Sequence, residues 1–243
     1  LIHPKGYEFV KYAVDKSNTF ICLTTNGTIM KEKKTRQLLD SGIQMIDISI
    51  DAYKNDTYSK VRVNGDLNVT RNNVKRLLSW IHKGNLDTKV IVSFVEQPQN
   101  TTEVEDFENY WNDQGVTDVV IRRLHSAAGA IESVAEDMHL EFKHEDRYPC
   151  LYPWERLTLD PGGHLSFCPT DWKYKSKFVD FSKTSIREAW QSQFMKDLRE
   201  AHTSNNFSCH DFCGQCPDWK QTRWPNEGRR YANMVSEIMG ENL

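Results

Sequence analysis

The chain has no basic surplus, no long apolar run and no dense array of cysteines. Lys and Arg number 31 against 34 Asp and Glu, a formal net charge of −3. That balance excludes a nucleic-acid surface built on bulk electrostatics. No apolar stretch approaches the roughly 20 residues that span a bilayer, and no basic-then-apolar leader opens the chain. Six cysteines in 243 residues are too sparse for a disulfide scaffold, so a reducing, cytoplasmic compartment is expected, with no membrane and no nucleic acid as partner. Internal repeats and low-complexity tracts are absent. What is left is an ordinary globular composition, 38% hydrophobic and 27% charged. The length suits one large domain, or one domain with a small appendage. The chain opens on Leu1 rather than Met, as expected of a piece cut from a longer protein.

What is present falls into two parts. Up to about residue 125, strand and helix signals alternate. Residues 18–27, 43–52, 88–97 and 116–124 are short apolar runs bounded by turn signals. Between them lie a helical segment closing on Gly42, a second over 68–84 and a third over 100–115. The second carries Val69, Val74, Leu77, Leu78 and Ile81 at helical spacing, and the third has Asn100 or Thr101 as its cap and Gly115 at its end. This alternation predicts a parallel sheet with right-handed crossovers. Such sheets bind ligands at the carboxyl ends of their strands, here Thr24-Thr25-Asn26-Gly27, Ser49-Ile50-Asp51, Glu96-Gln97 and Arg122-Arg123-Leu124-His125. Of Arg122 and Arg123 only one side chain can face inward.

Beyond His125 the pattern changes. Residues 148–172 alternate around Asp160-Pro161-Gly162-Gly163, a hairpin signal with Cys150 and Cys168 on its two sides. Residues 185–202 read as one amphipathic helix, capped by Ser185, with Ile186, Ala189, Trp190, Phe194 and Leu198 on one face. Residues 227–242 read as a terminal helix.

Three further cysteines, Cys209, Cys213 and Cys216, lie within eight residues. A C-x2-C turn presents two thiolates to one metal centre, and the hairpin presents two more. Four thiolates satisfy tetrahedral zinc or an iron–sulfur cluster. Cys150, Cys168, Cys213 and Cys216 are the expected set, with Cys209 a spare, a neighbour or an alternative ligand. Cys22, in the apolar run Phe20-Ile21-Cys22-Leu23, reads as a small buried hydrophobe.

These residues carry a resemblance. Cys150-x12-Gly163-x4-Cys168 followed by Cys213-x2-Cys216, with Pro153-Trp154, the CPTDW of 168–172 and the CGQCPDW of 213–219, resembles the SPASM/twitch region of radical S-adenosylmethionine (SAM) enzymes. In the first half, LTTNGTIM, LLDSGIQMIDISIDAYKNDTYSKVR and VIVSFVEQPQNTTEVEDF are similar to the third, fourth and fifth strand regions of the radical SAM barrel. The fold this implies is α/β: an incomplete partial (β/α)6 barrel, its strands three to six, over residues 1–130, then a small α+β SPASM/twitch domain over 131–243. The implied cofactors are one auxiliary [4Fe–4S] cluster, SAM in the intact enzyme, and zinc as the alternative metal. By the same resemblance Thr25, Asn26 and Gly27 lie beside SAM, Ser49 and Arg62 match positions that contact its methionyl or ribose groups, and Asp51 sits next to Ser49. The implied partners are an electron donor such as a flavodoxin or ferredoxin, and a substrate that is a peptide, a sugar or a small molecule.

The match has a gap. No C-x3-C-x2-C motif precedes Cys150, and no Gly-Gly-Glu-Pro occurs. The expectation is therefore a fragment beginning after the second strand, whose exposed sheet edge, with Phe20, Ile21 and Leu23, drives association. Cys209-x3-Cys213-x2-Cys216 has the radical SAM spacing, but Gln215 stands where the family places an aromatic residue. The function implied is that of a radical SAM oxidoreductase or modifying enzyme. The rivals are a zinc-stabilised α/β scaffold, or a degenerate member of the family that no longer catalyses.

Overall fold

The computed structural model describes residues 2–141 and 147–222. The helix expected over 227–242 lies outside the described residues. The chain divides into two compact units, the first ending at Arg123 and the second starting at Leu124. Among the described residues no helix is long and apolar enough to cross a membrane.

The first unit runs α1 (Gly6–Lys16), β1 (Cys22–Thr25), α2 (Glu32–Asp40), β2 (Met45–Ser49), α3 (Asn55–Val61), α4 (Leu67–Gly84), β3 (Lys89–Glu96), α5 (Val104–Asp113) and β4 (Asp118–Arg123). Its four strands are parallel, in the order β1-β2-β3-β4, so β1 forms one edge. Side chains alternate along a strand, and paired residues of parallel strands share a face. One face is apolar: Ile46, Ile48, Val90, Val92 and Phe94 are buried and pack with residues of the helices. Phe94, Phe107 and Trp111 meet edge to face, at centroid distances of 4.9 and 6.3 Å. The other face carries Thr24, Asp47, Ser49, Ser93 and Arg122. Cys22 shares that face near the sheet edge and is only half-buried.

Local details depart from the sequence reading for identifiable reasons. Asp66 caps α4 by accepting from the N–H groups of Asn68 and Val69, and the left-handed Asn85 ends it, where Gly84 was expected to. Thr70 and Asn73 are on the buried face of α4, while Val69 is 46% exposed. Those two polar residues are buried because they have partners: Thr70 Oγ1 meets the Tyr58 hydroxyl at 2.9 Å, and Asn73 Nδ2 donates to the Gly27 carbonyl at 2.9 Å. Asn100 caps no helix. Its amide donates to the carbonyls of Asp51 and Val95 and accepts from the Gln97 N–H, which knits the carboxyl ends of β2 and β3 together.

Glu103 stands at the N-cap position of α5, but its side chain is turned to the start of α3 and not to α5. Its buried carboxylate accepts from the N–H groups of Tyr53 and Lys54 at 2.8 and 2.9 Å and from the Thr57 hydroxyl. Burial pushes its pKa up, but these hydrogen bonds outweigh burial and hold it below the usual value. A folded-state pKa below the unfolded one gives stability that is complete above about pH 4.3 and lost as pH falls through the folded value. Glu103→Gln is expected to destabilise the first unit by about 1–3 kcal/mol at pH 7, a deficit that shrinks toward pH 3. Denaturant titration of both proteins at the two pH values checks this; an equal deficit at both would assign the loss to packing.

The second unit contains α6 (Glu132–Glu141), α7 (Tyr152–Glu155), β5 (Thr158–Leu159), β6 (His164–Ser166), β7 (Lys177–Asp180), α8 (Ile186–Trp190), α9 (Gln193–Ser204) and α10 (Asp211–Gly214). The β5–β6 hairpin turns at Asp160-Pro161-Gly162-Gly163, where Asp160 Oδ1 accepts the His164 N–H at 2.9 Å. A third antiparallel strand, β7, joins β6 and was not read from sequence. The helix expected over 185–202 is two helices. Ser185 and Glu188 form a capping box on α8, and Ser192 caps α9 by accepting the Met195 N–H. A second cap inside the segment breaks it, and Ile186 is left 59% exposed. The core of this unit is small: Phe167, Met195, Leu198, Ala201, Phe207 and Cys213.

Candidate functional site

Two sets of polar residues stand out, one in each unit. In the first unit the polar sheet face carries a connected chain. Ser49 Oγ and Ser93 Oγ lie 3.2 Å apart, Ser93 donates to Asp47 Oδ1 at 2.8 Å, and Arg122 pairs with Asp47 Oδ2 at 2.5 Å. Arg122 is thus the inward arginine, and Arg123 is exposed. Asp47 and Ser93 were not singled out from sequence. The signal was an acid in the middle of an apolar strand, Met45-Ile46-Asp47-Ile48, a placement rare without a partner.

The loops at the carboxyl ends of β1 and β2 hold the other expected residues. Gly27 has φ +73°, and a Cβ there would come within 3.0 Å of the Ile48 side chain, so glycine is required. Asn26 Oδ1 accepts the Thr28 N–H at 3.1 Å, and Thr25 Oγ1 accepts the Gly27 N–H at 3.3 Å. Asp51 is buried with φ 65°. One of its carboxylate oxygens accepts the Val95 N–H at 2.8 Å and the other pairs with Arg62 Nη2. Asp51 and Arg62 are therefore engaged with each other.

In the second unit, Cys150, Cys168, Cys213 and Cys216 line one cavity, together with Arg147, His202, Phe167 and Trp219. Cys150 precedes α7, Cys168 follows β6, and Cys213 and Cys216 bracket the end of α10. Segments distant in sequence thus meet around one space. Cys209 is exposed and does not line it. Burial pushes the Cys150 thiol up to about 12 and raises Cys168, Cys213 and Cys216 as well; neighbouring thiols add to this at Cys150 and Cys213, and Asp218 adds to it at Cys168 and Cys216. Thiols raised in this way ionise only when a cationic centre compensates them.

The chemistry of the donor set fits a cluster: four thiols line one cavity, and a cubane takes one thiolate on each iron.

Residues 150–217 match the SPASM family, an iron–sulfur cluster-binding domain. The chain carries a SPASM domain on a radical SAM fold. The fold is similar to that of SuiB from Streptococcus suis in a structure bound to S-adenosylmethionine, with TM-score 0.57 and 12% identity over 95% of this chain and 59% of SuiB. It is also similar to anSMEcpe with bound AdoMet, with TM-score 0.52 and 12% identity over 90% of this chain and 70% of the other. A GTP 3′,8-cyclase of Limosilactobacillus fermentum is 27% identical over 96 residues, 40% of this chain and 27% of the cyclase. The chain spans under two thirds of the length of SuiB and of the cyclase. A SPASM domain binds iron–sulfur clusters, so the zinc-stabilised scaffold is not favoured.

A buried acid of the second unit also lines the cavity. Asp218, two residues past Cys216, accepts from the N–H and hydroxyl of Ser126 at 2.7 and 2.8 Å and from the Ala128 N–H at 2.7 Å. The loop it holds contains Ala127 and Ala128 at φ 54° and 56°, a left-handed pair that costs alanine roughly 1–2 kcal/mol per residue. His125 Nδ1 accepts the Ala127 N–H at 3.0 Å, so this histidine serves the loop, and burial lowers its pKa against the pull of Asp218.

Proposed function

We propose that this chain is the substrate-facing part of the barrel and the auxiliary-cluster domain of a radical SAM oxidoreductase or modifying enzyme. One [4Fe–4S] cluster is held by Cys150, Cys168, Cys213 and Cys216. The reading is carried by four thiols lining one cavity, inside a segment that matches an iron–sulfur cluster-binding domain. Bound SAM supplies a 5′-deoxyadenosyl radical when it is cleaved by one-electron reduction.

The residues of this chain bind and orient. The turn Thr25-Asn26-Gly27 and Ser49 sit at the carboxyl ends of adjacent parallel strands, the usual place for a ligand. Arg62 neutralises Asp51 and fixes the mouth between β2 and β3, rather than offering a free guanidinium. Asp47, Ser93 and Arg122 give the sheet face a fixed polar surface for a peptide, sugar or small-molecule substrate. With four thiolates the cluster leaves no iron open to substrate, which assigns it electron transfer or structure. The external electron donor is of the flavodoxin or ferredoxin kind.

Anaerobic reconstitution with iron and sulfide tests this. The expected protein is brown, absorbs broadly at about 400 nm and holds about four irons and four sulfides per chain. With dithionite and SAM, residues 1–243 are expected to release no 5′-deoxyadenosine, since no C-x3-C-x2-C precedes Cys150. Colourless protein with stoichiometric zinc would overturn the cluster. Release of 5′-deoxyadenosine would move the radical centre to Cys209, Cys213 and Cys216.

A further inference from the structure

The cysteine cavity contains more than thiols. Arg147 lines it and has no carboxylate partner among the described residues. Its Nη1 and Nη2 donate to the carbonyls of Gly214 and Cys213 at 3.0 and 2.7 Å, and its guanidinium lies 4.1 Å from the centre of the Phe207 ring. Two of its nitrogens are thus anchored on the chain that carries Cys213, while Nε is buried with no hydrogen-bond partner. The half-buried guanidinium is partly desolvated, and the groups facing it are Cys213, Cys216 and Cys150.

His202 presents the same pattern. It is 4% exposed, lines the same cavity, and its Nδ1 accepts the Cys150 N–H at 3.4 Å. An accepting Nδ1 leaves the ring proton on Nε2. That Nε2 is buried and has no partner. Phe207 and Trp154 pack edge-on to the ring, at centroid distances of 4.9 and 6.0 Å, and fix its plane. A buried N–H without an acceptor is rare and costly. Sulfur is the acceptor that a loaded cavity offers to both groups.

We infer that Arg147 and His202 are the cluster's own hydrogen-bond donors, Nε–H and Nε2–H each donating to cluster sulfur, with Arg147 also its counter-charge. This rests on the four-cysteine cluster of the preceding section. Hydrogen bonds to the sulfurs and nearby positive charge stabilise the reduced, more negative cluster, and so raise its potential. The two residues act through the cluster and are positioning residues.

The test uses the reconstituted chain, with the cluster potential read by EPR during a redox titration. Arg147→Gln keeps polar donors and loses the charge. It is expected to lower the potential by at least a tenfold change in the reduction equilibrium, 59 mV for a one-electron couple. Arg147→Lys keeps the charge and stays within threefold of wild type. His202→Phe keeps ring shape, loses the donor and shifts the potential in the same direction as Arg147→Gln. The wild-type protein supplies a second readout that requires no variant. With ¹⁵N-labelled histidine and arginine, electron–nuclear double resonance of the reduced cluster should show coupled nitrogens and a deuterium-exchangeable proton. A potential unchanged in both Arg147→Gln and His202→Phe, or no coupled nitrogen in wild type, overturns the donor assignment while the cluster stands. A wild-type chain that binds no iron and sulfide overturns the cluster reading itself.

Discussion

Cys213→Ala is expected to strip the cluster and unfold the chain beyond Tyr148, while leaving the parallel sheet of the first unit largely folded. Two effects act together. Cys213 is 8% exposed and belongs to the six-residue core of the SPASM domain, so truncation opens a gap beside Phe207. Loss of a thiolate also removes binding free energy that the folded state alone enjoys, because the unfolded chain has no preformed site. The SPASM domain has little else: three short strands, short helices and a core of six buried residues. Iron content should fall to a small fraction of wild type, and the low-temperature part of the melting profile should move down by well over 10 °C, since about 1 kcal/mol moves a domain of this size by roughly 4–8 °C. Cys209→Ala is the control. Cys209 is exposed and off the cavity, so its iron content and melting profile should match wild type. If Cys213→Ala melts like wild type, the cysteine cavity does not stabilise the fold.

Asp218→Ala is expected to be nearly as damaging, without removing a thiolate. Asp218 is 3% exposed and its carboxylate accepts three hydrogen bonds from residues 126–128. Truncation leaves the buried Ser126 N–H and hydroxyl and the part-buried Ala128 N–H without acceptors, at about 1–3 kcal/mol for each buried group. It also releases a loop whose Ala127 and Ala128 are held at positive φ. A total loss of about 3–5 kcal/mol is expected for the second unit, read by denaturant titration with a probe on Trp219. Asp218→Asn separates charge from geometry. Its amide keeps one acceptor for Ser126 but turns a donor toward the Ala128 N–H, so it should recover only part of the loss. Full recovery would show that one acceptor is enough.

Local chemistry determined much of this protein. The spacing of apolar runs, and the glycines at 42 and 115, set out the four strands of the first unit and the helices α2, α4 and α5 in the order found, because a strand buried on its helix side must be apolar there whatever else surrounds it. The four cavity cysteines were legible for a similar reason: metal-ligand spacing is local within a C-x2-C turn, and a hairpin marks where its cysteines stand. The tertiary structure alone decided the rest. Nothing near residue 147 or 202 announces a role, since an arginine and a histidine are ordinary surface residues until folding sets them in one cavity with the thiols. Asp47 reads as a strand acid until Arg122 and Ser93 arrive from two other strands. Asn100 reads as a helix cap until the ends of β2 and β3 compete for its amide. Arg62 reads as free to bind a carboxylate until Asp51 takes it. In each case the deciding partner lies far along the chain. The free energy that commits a polar side chain comes from burial, which sequence spacing does not encode.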